Sequence, residues 1–367
     1  MKVALYEPYL HGNEKRYVNE CLDTTWISSK GKFVNEFESA FAKYTNSACA
    51  AAVSNGTVAI HLALAALDIK AGDEVIVPTF TYIASVNPIV YLGATPVFVD
   101  SDPENWQIDI DDLERKITSK TKAVIAVHLY GGVADMERIA ALCKKHNIYL
   151  VEDCAEAIGC RRNGQHVGTF GDIGCFSFFG NKTITTGEGG MVTAQDEALA
   201  KRLAHLKAQG VSPVKTYWHD AVAFNYRMTN IQAAIGLGQL EQIEEILQKK
   251  RRIAELYKQE FAERKLPLSI LWEEPGCVNG FWLPTIALDD PARRDSLMKD
   301  LMAKYGVESR PTFYPAHTMP MYVDLAIDKY PVAEKLAAAG MNIPGHPGLK
   351  EADQMLVIEA LTKELGK

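Results

Sequence analysis

The sequence predicts an α/β protein in which a large domain with a mostly parallel sheet is followed by a smaller α+β domain at the C-terminal end. Three observations predict it. Short runs of β-branched and apolar residues alternate with segments of helical period, as in strands linked by crossover helices. The runs are apolar throughout rather than alternating, as strands buried on both faces are. After residue 240 this alternation gives way to a long amphipathic helix and isolated strand-like pieces.

In chain order, the apolar run 48–53 precedes Ile60, Leu64 and Leu67 at helical spacing, giving a strand and then a helix. Strands follow at residues 74–77, 95–99, 123–128 and 148–152. Between the last two, Met136, Ile139, Ala140 and Cys143 form the inner stripe of a crossover helix over 135–146, with lysines near its end where the dipole favours them. From about Ile231 one long helix is expected, with Leu240, Ile243 and Leu247 on its apolar face and Lys250 and Arg252 on a charged opposite face. A strand-like piece at 280–286, a helix around 296–305 and a closing helix from about Glu351 complete the chain. The expected division is 1–240 for the large domain with an N-terminal arm, and 241–367 for the linking helix and small domain.

Composition narrows the function. Lys plus Arg number 39 against 46 Asp plus Glu, a net charge of −7, and the longest basic run is 249–252, so a nucleic-acid partner is not expected. Seven cysteines without a CxxC pair argue against a disulfide framework and a zinc site, and fit free thiols in a reducing cytosol. The uncharged stretches 44–67 and 75–99 are broken by Asn55-Gly56 and by Pro78, Pro88 and Pro96, so neither is read as a membrane span. The first residues offer no apolar stretch of signal-peptide length.

Three segments carry chemistry. Ser54-Asn55-Gly56-Thr57 places a glycine and hydroxyls where a strand gives way to a helix, so free N–H groups there could take a phosphate or simply be capped. Asp153, at the carboxyl end of an apolar strand, would point into the crevice where open α/β sheets bind ligands, facing a cationic ring nitrogen or capping the next helix. Lys182 lies between Phe178-Phe179 and a turn rich in glycine and threonine, a setting that desolvates an amine and favours Schiff-base chemistry. A nucleotide loop is excluded because Cys175 stands where Gly180-Asn181-Lys182-Thr183 would need its first glycine, and Gly168, Gly171 and Gly174, spaced by three, miss the dinucleotide fingerprint. No histidine pair shows HExxH spacing, so no metal site is expected.

Taken together, Gly56-Thr57, Asp153, Ser177 and Lys182 stand in the order and spacing of fold-type I pyridoxal phosphate enzymes, and the string SFFGNKTITTGEGGM at 177–191 resembles the DegT/DnrJ/StrS-type nucleotide-sugar aminotransferases. The segments TTWISSKG at 24–31, FNYRMTN at 224–230 and RPTFYPAHTM at 310–319 are similar to the same family, so the resemblance spans almost the whole chain. It implies pyridoxal 5'-phosphate bound to Lys182, Asp153 at the pyridine nitrogen, Tyr82 stacked on the ring and Glu156 close to it. It further implies a phosphate held by Gly56, Thr57 and Ser177, with Asn225 lent by the second subunit of a homodimer. Trp26, Arg310 and His317 are the implied nucleotide-sugar contacts, and His317 is equally read as a structural histidine. Within the family the chain most resembles members that use L-glutamate to aminate C4 of GDP-4-keto-6-deoxymannose. The alternatives are another 4-keto or 3-keto sugar on UDP or dTDP, and a sugar dehydratase, which Lys182 disfavours because the related dehydratases carry histidine there.

Overall fold

The computed structural model describes residues 2–366. After the helices α1 (Glu14–Asp23) and α2 (Lys32–Thr45), the chain runs β1 (Cys49–Val53), α3 (Gly56–Ala66), β2 (Glu74–Pro78), α4 (Asn87–Tyr91), β3 (Thr95–Val99), α5 (Ile110–Arg115), β4 (Thr121–Val127), α6 (Met136–His146) and β5 (Tyr149–Asp153). The short strands β6 (Arg161–Arg162) and β7 (Gln165–His166) precede β8 (Ile173–Ser177) and β9 (Gly190–Ala194). The seven long strands form one sheet in the order β1-β9-β8-β5-β4-β2-β3. Every neighbouring pair from β8 to β3 is parallel, whereas β9 is antiparallel to both β8 and β1. The strands β1, β5 and β8 therefore all end at the same edge.

The parallel strands read as continuous apolar runs because both faces are covered. On one side α3 packs across β5, β8 and β9, and on the other α6 covers β4 and β5. The α6 helix follows the sequence reading, with Asp135 capping the Arg138 N–H and Asn147 closing it in the left-handed region.

Beyond α7 (Glu197–Lys207), the expected single long helix is two helices, α8 (Asn230–Leu240) and α9 (Ile243–Glu263). They part at Gln242, whose backbone leaves helical values (φ −110°, ψ 8°) while its side-chain amide donates to the Gly238 carbonyl and to Glu14. That amide occupies a terminal carbonyl of α8 and ties the break to the N-terminal arm. Lys250 also departs from the sequence reading, being 1% exposed. It falls on the stripe of Ile243, Ile246, Ile253, Ala254, Tyr257 and Phe261, the buried face of α9.

The remaining elements are β10 (Leu268–Ile270), β11 (Cys277–Val278), β12 (Thr285–Leu288), α10 (Arg294–Asp300), β13 (Arg310–Pro311), α11 (Pro331–Ala339), β14 (Gly340–Asn342) and α12 (Glu351–Leu365). A second sheet, β10-β12-β14-β13, has its own core with α9 and α12. The expected strand at 280–286 begins only at Thr285; the residues before it run close against the large sheet, where Trp282 and Leu283 join that domain's core.

Candidate active site at the carboxyl edge of the sheet

β5 ends in two acidic residues that alternation sends to opposite faces. Glu152 accepts from the N–H groups of Gly168, Phe170 and Gly171, each at 2.7 Å, and from His128 Nε2 at 3.2 Å. Asp153, also buried, accepts from the Ser85 hydroxyl at 2.7 Å and the Ala155 N–H at 3.0 Å. No helix follows it directly, so the cap considered from sequence is only this local turn. His128, Glu152 and Cys154 bring ligand atoms within 4.8 Å of one another, but Glu152 is already filled with donors and burial pushes the Cys154 thiol far up, so the trio does not read as a metal site.

Lys182 occupies the loop between β8 and β9. Its Nζ, in a side chain 12% exposed, donates to Glu156 Oε1 at 3.2 Å and lies 3.9 Å from the centroid of the Trp282 ring. The platform is fixed from several sides. Trp282 Nε1 donates to the Asn181 carbonyl at 2.6 Å, and the Tyr6 hydroxyl donates to the Lys182 carbonyl. Glu156 Oε2 accepts from the Tyr130 N–H at 2.7 Å, and burial raises the Glu156 carboxyl while Lys182 opposes the rise. Tyr130 holds φ 56°, ψ 21°, a left-handed conformation uncommon for a bulky residue, and its ring lies parallel to that of Trp282. At the next residue a Cβ on Gly131 would stand 2.7 Å from the Trp282 nitrogen, so glycine allows this close approach. Phe313 bridges Tyr130 and Tyr82, with ring centroids 5.2 Å from each. Tyr82 is 56% exposed, so its ring faces the open side of the site and not the core.

At the other end of the crevice, Asn55 caps α3 by accepting from the Val58 N–H at 3.0 Å. The N–H groups of Gly56 and Thr57 are left as donors at the start of an apolar helix. A Cβ on Gly56 would lie 2.8 Å from that of Ser177, at the end of β8, so the glycine keeps open a cradle that any side chain would fill. A phosphate fits this chemistry, and Asp153 has acceptor capacity left for a protonated ring nitrogen. The residues present thus fit pyridoxal phosphate.

The structure brings Lys182, Glu156, Asp153, Gly56, Thr57 and Ser177 to one edge. Asn225 is exposed, and its Oδ1 accepts from the Arg227 guanidinium at 3.0 and 3.2 Å. Trp26 is exposed, with its carbonyl accepting from Asn230, and exposed Arg310 pairs with Glu308. His317 is buried, with Nδ1 2.7 Å from the Thr79 hydroxyl and Nε2 3.4 Å from Glu334, and burial lowers its pKa. Both ring nitrogens are engaged, as in a structural histidine; a substrate would have to displace the half-exposed Glu334. Sequence reasoning did not anticipate Trp282, Tyr130, Tyr6 or Ser85.

The profile of the DegT/DnrJ/EryC1/StrS aminotransferase family matches residues 8–362. Among similar proteins, the GDP-perosamine synthase of Escherichia coli O157:H7 is 51% identical over 361 residues, covering 98% of both chains. That of Vibrio cholerae is 51% identical over 95% of both. Among solved structures, the PLP form of the putative sugar aminotransferase Spr1654 from Streptococcus pneumoniae superposes with a TM-score of 0.92 at 28% identity, covering 98% of each chain. With the profile spanning nearly its whole length and half its residues shared with such relatives, this chain belongs to the DegT/DnrJ/EryC1/StrS aminotransferase family.

Proposed function

We propose that this protein is a pyridoxal phosphate-dependent aminotransferase that carries the amino group of L-glutamate to C4 of GDP-4-keto-6-deoxy-D-mannose, giving GDP-perosamine for a surface polysaccharide. The observation that carries the chemistry is Lys182 held between Glu156 and Trp282 at the edge where Asp153 ends its strand. The choice of sugar rests on the 51% identity to GDP-perosamine synthases across nearly the full chain. Transfer to another keto sugar on UDP or dTDP is the second reading.

When bound, pyridoxal phosphate supplies an electron sink for the carbanion left when an amino acid loses its α-proton. The start of α3 and Ser177 bind the phosphate, and Asp153 holds a proton on the pyridine nitrogen, its own orientation set by Ser85 and Ala155. Lys182 Nζ moves protons at the reacting carbons, and Glu156, next to it, takes up positive charge. Tyr82, Phe313 and Tyr130 form an aromatic wall that limits water on one side. Trp26 and Arg310 are exposed, Arg310 while paired with Glu308, and are the side chains proposed to meet a nucleotide sugar.

The site is proposed to be shared in a homodimer, with Asn225 serving the neighbouring subunit's phosphate. Exposed Val214, Tyr217 and Val222 support a second copy covering the 211–222 segment. Among the described residues no helix is long and apolar enough to cross a membrane, and the seven free cysteines support a reducing cytoplasm.

The test supplies L-glutamate with a panel of GDP-, UDP- and dTDP-4-keto-6-deoxy sugars and reads products by mass spectrometry. GDP-4-keto-6-deoxymannose should gain an amine at C4, with parallel double-reciprocal plots, because one site serves both substrates in turn. A product that keeps its ketone, or intersecting plots, overturns the proposal. For the shared site, Lys182→Ala and Asn225→Ala chains are mixed and allowed to exchange subunits. About half the dimers are then hybrid and roughly a quarter of all sites regain both residues. No recovery in verified hybrids excludes Asn225 from the neighbour's site.

A further inference from the structure

Within α9 a fully buried amine, that of Lys250, stands on an apolar stripe, where leucine or methionine would pack at no electrostatic cost. Lys250 has no carboxylate among its described partners. Its Nζ donates to the carbonyls of Trp282 at 2.9 Å and Gly345 at 3.1 Å, and lies 5.4 Å from the Tyr6 ring. Burial first, and then the charge Lys250 can carry, lower the pKa of the buried His346.

Two of these contacts, those with Trp282 and Tyr6, lead back to Lys182. The Trp282 carbonyl belongs to the residue whose indole lies under Lys182 Nζ, and whose Nε1 holds the carbonyl of Asn181. Tyr6 is the residue whose hydroxyl holds the carbonyl of Lys182 itself. Gly345 follows β14, so the same amine fastens this platform to the second sheet. Three segments far apart in sequence thus meet at one Nζ. A methionine there would fill the volume but leave two buried carbonyls without donors and the Trp282 backbone free to shift.

We propose that Lys250 is a positioning residue for amino transfer: it pins the Trp282 backbone and backs the Tyr6 ring, so that indole and hydroxyl together fix the place of Lys182. It touches neither substrate nor cofactor. The inference rests on the reading that Lys182 carries the reaction.

The test uses the full-length holoenzyme with Lys250→Met, Trp282→Phe and the double variant. Lys250→Met should lower kcat by about tenfold to a hundredfold, as small misplacements of a reacting group do, with KM for glutamate within about twofold. The pH at which the visible absorption of the bound cofactor titrates should shift, because the surroundings of Lys182 change. In the Trp282→Phe background the same substitution should cost kcat clearly less than it does in the wild type, since the indole it positions is gone and only the Tyr6 arm remains. Wild-type kcat and spectral titration in Lys250→Met, or losses that multiply fully in the double variant, overturn the proposal. If Lys250→Met does not fold, Lys250→Gln, which keeps two N–H donors on a shorter arm, replaces it, and an unshifted spectral titration with wild-type kcat overturns the proposal. Borohydride reduction and peptide mapping of the wild type run alongside. Cofactor fixed anywhere but Lys182 overturns the functional reading and this inference together, whereas cofactor on Lys182 with wild-type behaviour of the variants overturns this inference alone.

Discussion

Glu152 and Asp153 are consecutive residues of one strand, both buried, yet the two faces of the sheet use them in opposite ways. An ionised carboxylate offers about four lone-pair sites. Glu152 fills four, with three backbone N–H groups and His128, and so locks the 168–171 turn against the sheet. Asp153 fills two, from Ser85 and Ala155, and keeps the rest for the crevice. Burial is common to both and separates nothing. What sets Asp153 apart, and supports the role proposed for it, is acceptor capacity that the fold leaves unused at the edge where strands end.

The sharpest way to break this comparison is to remove one charge from each residue. Glu152→Gln turns an amide toward N–H donors and leaves two of them unsatisfied. At about 1–3 kcal/mol for each, it should cost about 2–6 kcal/mol of stability, read by denaturant unfolding. Turnover of the fraction that remains folded should change little. Asp153→Asn should do the reverse, keeping the unfolding midpoint near that of wild type while losing on the order of a hundredfold in kcat, as when a preorganised charge is taken from a reacting centre. If Asp153→Asn unfolds the protein and Glu152→Gln silences it, the assignment of the two faces is inverted.

This contrast also shows what the sequence could tell. Strand ends are local, so Asp153 and Gly56-Thr57 were legible as candidates from apolar runs that stop at polar residues and Lys182 from its own flanks, whereas Ser177 entered only through the family resemblance. The aromatic platform was not. Trp282 reaches Asn181 across 101 positions and Tyr6 reaches Lys182 across 176, and no local period records such contacts. Ser85 is hidden for the same reason, 68 positions from the carboxylate it orients. Lys250 was misread because its charge was given more weight than its place on the stripe that runs from Ile243 to Phe261. The break at Gln242 depends on a side chain reaching the N-terminal arm, which helical periodicity cannot reveal.

Lys250 extends the comparison to a cation. With only two carbonyls as acceptors and no counter-ion among its described partners, burial lowers its pKa from 10.5 to about 7. Between those values the unfolded chain holds a proton that the native protein does not, so this residue makes stability rise with pH. The contribution is present at high pH and is lost as pH falls toward about 7. Relative to Lys250→Met, wild-type stability should therefore gain at most about 1.4 kcal/mol per pH unit across this window, measured by unfolding at two pH values above neutrality. A difference that does not change with pH would show that the buried amine stays charged.

The smallest effect is expected where one of Asp153's two donors is removed. The Ser85 hydroxyl donates to Asp153 Oδ2 at 2.7 Å and lies 2.9 Å from the Thr81 hydroxyl. Since a carboxylate can only accept, the Ser85 proton points to Asp153 and the Thr81 hydroxyl donates to Ser85. Ser85→Ala therefore frees one carboxylate oxygen and strands one buried hydroxyl, a change of about 1 kcal/mol in orientation and hydrogen bonding. The charge itself remains, so kcat should fall only about fivefold, against the hundredfold expected for Asp153→Asn. In the Asp153→Asn background the same serine substitution should cost almost nothing further in kcat, because the hydroxyl acts through the carboxylate it orients. Full additivity of the two losses would mean that Ser85 contributes to turnover by another route, and that the number of donors on Asp153 does not control its work.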